Sequence, residues 1–207
     1  GEILGIGGVA GNGQDEFLGA LSGETKTSPT TVTLLGQPIG HLPPNQRRKL
    51  GLRAAPEERL GHAAAPAMSL IENTLMTSHS KDVIDKWGII NFKNISTKTS
   101  RIVSEFDVRT PTLDNTAASL SGGNLQKFVI GREILENPKV FVVNQPTWGV
   151  DAAAAAFIRQ SILNLASQQS AVIVISQDLD ELFEICDTFA VLTNGYMSKT
   201  YELGHLS

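Results

Sequence analysis

The sequence predicts an α/β fold with a mostly parallel core sheet, a small antiparallel β part and an inserted helical region, on three observations. First, the apolar runs KVFVVN (139–144), SAVIVIS (170–176) and TFAVLTNG (188–195) alternate with helix-like segments at 123–136, 152–167 and 178–186. Strands that are apolar throughout and alternate with helices belong to a sheet covered on both faces. Second, GEILGIGG (1–8) reads as a strand whose glycine-rich exit feeds a helix, DEFLGALSG (15–23). Third, from about Met68 to Ser119 apolar residues recur three and four apart, as in SLIENTLMTS and TKTSRIVSEF, which is helical spacing. The expected division is an α/β core over 1–67 and 119–207, with a helical insertion over 68–118.

The remaining elements follow from local signals. TVTLLGQPIG (31–40) combines β-branched alternation with a turn and reads as an antiparallel hairpin. PPNQRRKLG (43–51) places Pro at the start and Gly at the end of a short helix. LRAAPEERLG (52–61) reads as a short strand running into a loop, and the alanine run 152–156 as helix-forming.

Bulk properties narrow the function classes. Of the 207 residues, 41% are hydrophobic and 18% charged, as in ordinary globular chains, and the length suffices for one sizeable core. A net charge of −4 leaves no basic footprint for nucleic acid or anionic membrane. Cys186 is the single cysteine, so no internal disulfide forms and a reducing compartment is expected. No apolar run approaches the roughly 18 residues of a membrane helix, and no signal peptide is recognisable. The sequence begins at Gly1 and enters a strand at once, so it is expected to be a fragment of a longer protein.

GGVAGNGQDEF (7–17) raises the functional question. A phosphate-binding loop has the pattern G-x-x-x-x-G-K-[ST]: backbone N–H groups cradle phosphates, the Lys reaches the terminal phosphates, and the hydroxyl holds Mg²⁺. Gly8 and Gly13 fit, Gly11 adds freedom beside Asn12, but Gln14 replaces the lysine and Asp15 the hydroxyl. By itself the stretch suits either a phosphate cradle or a plain strand-to-helix turn.

LSGGNLQKFVIGREILENPKVFVVNQPTWGVD (120–151) separates these alternatives. A Ser-Gly-Gly turn caps a helix whose first N–H groups form a ready anion site. Here the chain resembles the ATP-binding cassettes of ABC transporters, P-loop NTPase-like domains with an LSGG signature. It is most similar to the second cassette of the double-cassette subunits of simple-sugar and nucleoside importers. Their LSGGNQQK stands here as Leu120–Lys127, with Leu125 as the one change. FDVRTP (106–111), PEER (56–59) and SQDLDELFE (176–184) match in order and spacing, and FDVR tilts the resemblance towards the nucleoside branch.

The resemblance also marks losses. Competent cassettes end one strand in Asp-Glu, which hold Mg²⁺ and orient or deprotonate water; here those positions are Asn144 and Gln145. A neutral amide is no general base near pH 7, and a lone carbonyl oxygen lacks the charge that hard cations favour. The switch histidine is replaced by Gln177, and the loop glutamine by Glu57. No catalytic residue is therefore expected in cis, and no metal is expected at the chain's own degenerate site. That site would comprise Gly8, Gly11, Asn12, Gly13, Gln14, Asp15, Glu57 and Asn144, with Asp15 expected partly to occupy the helix N-terminus that phosphates would use. Losing the lysine alone removes a charge-assisted contact of roughly 1.5–3 kcal/mol.

The signature residues Leu120, Ser121, Gly122 and Gly123 are intact, as is Asp151 of the loop that crosses the dimer interface in this family. The resemblance thus implies a cassette that acts in trans on ATP, with its Mg²⁺, held by a partner ATP-binding cassette, and that binds nucleotide weakly itself. It implies transmembrane permease subunits as further partners, the PEER loop and helical block receiving them. A periplasmic or lipoprotein substrate-binding protein would take part indirectly, nucleic acid is no partner, and the subunit would lie peripherally on the cytoplasmic membrane face. Two alternatives stay open: an ATPase competent with unusual residues, and an interaction scaffold that binds no nucleotide.

Other candidates have plain readings. His41, His62, His79 and His205 lack metal-ligand spacing and read as surface or loop positions, and Arg47, Arg48 and Lys49 are too few for a nucleic-acid patch. Cys186 reads as an inert core thiol, and the acidic residues from Asp178 to Asp187 as a solvated helix face. Trp148 stands where the family commonly has arginine.

Overall fold

The computed structural model describes residues 1–78, 83–84 and 88–203. His79, His205 and parts of the 68–118 block lie outside these. Strands β1 (Ile3–Gly7), β4 (Leu52–Ala55), β5 (Val140–Asn144), β6 (Ala171–Ser176) and β7 (Thr188–Thr193) form the main sheet, in the order β4-β5-β6-β1-β7. All of these pair in parallel. Two short strands, β8 (Tyr196–Met197) and β9 (Tyr201–Glu202), add to β7 in antiparallel fashion. A separate hairpin joins β2 (Thr33–Leu34) to β3 (Gln37–Pro38). The α/β fold class with its small antiparallel part is therefore the observed one.

The apolar strands are explained by the two cores. Along β5, Phe141 and Val143 enter one cluster while Val142 enters another; along β6, Val172 and Val174 oppose Ile173 and Ile175 in the same way. Side chains alternate across a strand, so a strand covered on both faces must be apolar at every position. Helices α5 (Gly122–Ile134), α6 (Ala152–Ser167) and α7 (Leu179–Ile185) bury Phe128, Ile158, Ile162 and Leu182 in the larger core. Helix α1 (Gln14–Ser22) covers the opposite face with Leu18, flanked by Phe17 and Leu21.

Helices α2 (Pro44–Leu50), α3 (Leu70–Thr77) and α4 (Phe92–Glu105) complete the chain. Pro44 opens α2 and Gly51 closes it at φ 99°, a left-handed conformation suited to glycine. Ser69 and Glu72 form a capping box on α3, and Asn91 caps α4. Among the described residues no helix is long and apolar enough to cross a membrane, and no cluster of three metal-ligating side chains occurs.

The structure revises two readings and adds a contact that the sequence did not signal. The strand expected over 188–195 stops at Thr193, because Asn194 and Gly195, both at positive φ, make a tight turn into β8. The added contact is Arg47, which is fully buried and donates to the carbonyls of Ala20, Leu21, Gly40 and Leu42, joining the end of α1 to the segment before α2. Glu181 leaves the expected solvated acidic face. It is 3% exposed, because helical spacing turns it under the end of β6, where Ser176 Oγ donates to it at 2.8 Å. Burial pushes its carboxyl above the usual range, and the Ser176 hydroxyl opposes that shift.

Parallel registration brings the functional segments to one edge. Asn144 and Ile6 both stand opposite Ile175, so the exits of β1, β5 and β6 lie side by side. Ligands of open α/β sheets bind at this carboxyl edge.

Candidate functional site: a filled loop, an acidic cleft and a capped signature turn

The glycine-rich loop between β1 and α1 is closed by its own side chains. Gly13 ends it at φ 110°. At Gly8 a Cβ would lie 2.5 Å from the Leu192 carbonyl oxygen and 2.8 Å from Gln14 Nε2, so only glycine fits. Gln14, 7% exposed, folds back into the loop: its Oε1 accepts from Asn12 N at 3.0 Å and its Nε2 donates to Val9 O at 2.8 Å. A backbone N–H of the kind that would face a phosphate is thus already paired. Asn12 pins the loop from outside, donating to Val9 O and accepting from Asn194 N at 2.8 Å.

Asp15 lies in the first turn of α1 without capping it. Asn144 Nδ2 donates to its Oδ1 at 3.2 Å. Asn144 is 1% exposed, and its Oδ1 has no hydrogen-bond partner among the described residues. It is Gln14, the residue at the lysine position, that fills the loop.

At the end of β5, Gln145 takes a left-handed φ of 51° and its Oε1 accepts from Gln177 N at 3.3 Å. Gln126 of α5 donates to Pro146 O at 2.8 Å, fixing the chain beyond. Gln145 and Gln177 are therefore brought together at the carboxyl ends of β5 and β6. Neither amide takes up a proton near neutral pH.

A cleft of about 1070 Å³ runs from Asp15 to the signature turn, where Leu120 and Gly122 line it. Asp15, Glu24, Glu57 and Glu58 supply its carboxylates, against Arg59 and His62. His62 pairs with Glu24 at 2.9 Å. Arg59 donates to the Trp148 carbonyl, joining the PEER loop to the turn after β5; burial lowers its guanidinium's proton affinity and the Glu57 carboxylate raises it. The exposed Trp148 side chain stands on the cleft wall. Spacing in the sequence gave no sign of this clamp.

Ser121 caps α5, its Oγ accepting from Asn124 N at 3.4 Å and from Asn124 Nδ2 at 2.9 Å. Asp151 caps α6, accepting from Ala154 N at 2.9 Å. Ser121, Gly123 and Asp151 line a second pocket of about 290 Å³ with Arg109, Lys127 and Phe157. The signature residues thus divide, Leu120 and Gly122 facing the cleft, Ser121 and Gly123 this pocket.

Residues 1–148 match the ABC transporter family. Over 195 residues the chain is 36% identical to the guanosine import ATP-binding protein NupO of Bacillus subtilis, covering 94% of this chain and 38% of that protein. It is 34% identical to the nucleoside import ATP-binding protein NupA of Lactococcus lactis, with the same coverage. The galactose/methyl galactoside import ATP-binding protein MglA of Mannheimia succiniciproducens is 32% identical, covering all of this chain and 41% of that protein. The chain thus spans about two fifths of the length of these curated relatives. A dimeric ATP-binding cassette solved with ADP and Pi superposes with a TM-score of 0.78 at 16% identity, over 99% of this chain and 87% of that one. A nucleotide-free ABC transporter cassette gives 0.78 at 22% identity, over 97% and 80%.

Proposed function

Because the chain belongs to the ABC transporter ATP-binding cassette family, we propose that it is the degenerate second cassette of a double-cassette import subunit for simple sugars or nucleosides. In this reading residues 1–67 and 119–207 are a nucleotide-binding core that has lost its own catalysis, and 68–118 is the helical signature subdomain. The names of NupO, NupA and MglA support that substrate class.

The observation that carries the reading is the side chain of Gln14, paired inside the loop that would otherwise cradle phosphate. An incoming phosphate must displace that amide and approach the Asp15 carboxylate, so ATP with Mg²⁺ does not fit the site as it stands. The signature side does fit: Ser121 keeps a hydroxyl proton to donate, and among the described residues the first N–H groups of α5 have no side-chain partner other than the Ser121 cap. There Ser121, Gly122 and Gly123 would hold the terminal phosphate of ATP bound by the partner cassette, as pre-organised donors that stabilise phosphoryl-transfer charge. ATP and Mg²⁺ belong to the partner's site, and hydrolysis there drives import. Permease subunits would dock on the PEER loop and helical subdomain at the cytoplasmic membrane face, with a substrate-binding protein acting indirectly.

Ser121→Asp tests this directly. Aspartate keeps the N-cap acceptor, so stability is retained, but it sets a negative charge against the partner's phosphate. Loss of ATP turnover in the two-cassette assembly with an unchanged melting temperature is expected. Full turnover would sink the reading and favour the scaffold alternative.

One observation favours a second reading, a competent ATPase with unusual residues. The unpartnered Asn144 Oδ1 lies beside the Asp15 carboxylate, so the pair offers a cation the single charge that competent cassettes place on the strand. Mg²⁺-dependent turnover by the chain alone, abolished by Asp15→Ser, would establish it.

A further inference from the structure

The FDVR stretch places a cation on the signature pocket that the reading above does not use. Arg109 is exposed and lines the pocket of about 290 Å³ with Ser121 and Gly123; among the described residues its guanidinium makes no hydrogen bond or close ion pair, and its charge acts at longer range on the Asp107 carboxylate of the same pocket. Its position is nevertheless fixed. Arg109 N donates to Asn124 Oδ1 at 2.9 Å, and Asn124 Nδ2 donates to Ser121 Oγ at 2.9 Å, so one amide ties the arginine backbone to the signature cap. Pro111 two residues on holds Thr110 away from helical geometry, and Thr110 Oγ1 closes the turn on Thr112 O at 2.8 Å.

The other charges of the pocket are already spent. Lys127 Nζ pairs with Asp107 Oδ2 at 2.9 Å, donates to the Asp107 carbonyl and lies 5.6 Å from the centre of the Phe157 ring. Asp151 Oδ1 is absorbed by the N-terminus of α6. What remains is a guanidinium with no close partner among the described residues, its charge neighbour there being the Asp107 carboxylate that Lys127 already neutralises. Together with a serine hydroxyl and a helix N-terminus it makes a set of donors matched to a phosphate group.

We propose that Arg109 binds, in trans, a phosphate of the nucleoside triphosphate held by the partner cassette, beside the group gripped by Ser121. This rests on the trans-acting reading and adds a residue to it.

The test is steady-state ATP hydrolysis by the assembled two-cassette protein against ATP concentration, for Arg109→Ala, Arg109→Lys, Arg109→Glu and Ser121→Asp. Arg101→Ala, which removes an exposed arginine paired with Glu105, is the control. Arg109→Ala is expected to raise KM for ATP about ten-fold or more, Arg109→Glu further, and Arg109→Lys to recover to within about three-fold of wild type. If the Arg109 variants match wild type while Ser121→Asp is inactive, the inference fails and the trans reading stands. Wild-type behaviour of both sets overturns both. A fall in kcat or melting temperature without a KM change, unrescued by lysine, assigns Arg109 a structural role and overturns the inference. Weaker cassette assembly without nucleotide makes its partner a carboxylate of the other cassette, and equally overturns it.

Discussion

Replacing Gln14 by lysine and Asp15 by serine should reopen the loop. The Gln14 amide makes two hydrogen bonds that a phosphate must displace, to Asn12 N and Val9 O. At about 1 kcal/mol each these contribute about 2 kcal/mol against binding. The Asp15 carboxylate, taken as about 5 Å from a phosphate at an effective dielectric of about 20, opposes it by about 3 kcal/mol per phosphate charge. A lysine contact adds roughly 1.5–3 kcal/mol in favour. Salt screening and non-additivity reduce the sum, and half of it still corresponds to a few hundred-fold in affinity. Calorimetric titration of ATP with excess Mg²⁺ into wild type and Gln14→Lys/Asp15→Ser reads this directly. Without nucleotide the variant should melt about 4–8 °C lower, since the loop loses its internal bonds at roughly 2–4 °C per kcal/mol. A variant that keeps its melting temperature and binds ATP no tighter than wild type would refute the claim that these side chains exclude phosphate.

Two further outcomes concern buried charge. Arg47→Met should lower stability by about 3 kcal/mol or more, because the carbonyls of Ala20, Leu21, Gly40 and Leu42 lose their common donor; Arg47→Lys should recover about half, its ammonium being unable to span them, as denaturant titration would measure. Glu181→Gln should stabilise by about 1 kcal/mol at neutral pH. The folded state holds this proton more tightly than the unfolded chain, so wild-type stability falls as pH rises above the ordinary value near 4.5, and the advantage of the variant should vanish below it, as melting curves across pH would show.

How much of this was legible in advance differs from residue to residue. Strands β5 and β6 were legible because burial on both faces forces Val, Ile and Phe at successive positions, as in Val140–Val143. The Ser121 cap was legible for a local reason, since its hydroxyl bonds a backbone N–H within three residues; Ser69 and Asp151 cap in the same local way but were not read as caps. The Asn194-Gly195 turn was equally local, and extending the strand through it overlooked a dipeptide that favours positive φ. Arg47 was illegible because Arg-Arg-Lys reads as solvated charge. Only the meeting of α1 and α2 puts four carbonyl oxygens around one guanidinium.

By itself, the sequence determined the family, the fold class and which residues stand at positions 14, 15, 144, 145 and 177, since these depend on residue identity and spacing alone. It could say that the phosphate loop lacks its lysine. Only the tertiary structure decided what stands there instead: the Gln14 side chain folds back onto Asn12, Asn144 reaches Asp15 across 129 residues of chain, and Asn124 ties Arg109 to Ser121. The physical reason is that residue identity fixes which donors and acceptors exist, whereas the parallel register of β1, β5 and β6 fixes which of them come within 3 Å or so of one another.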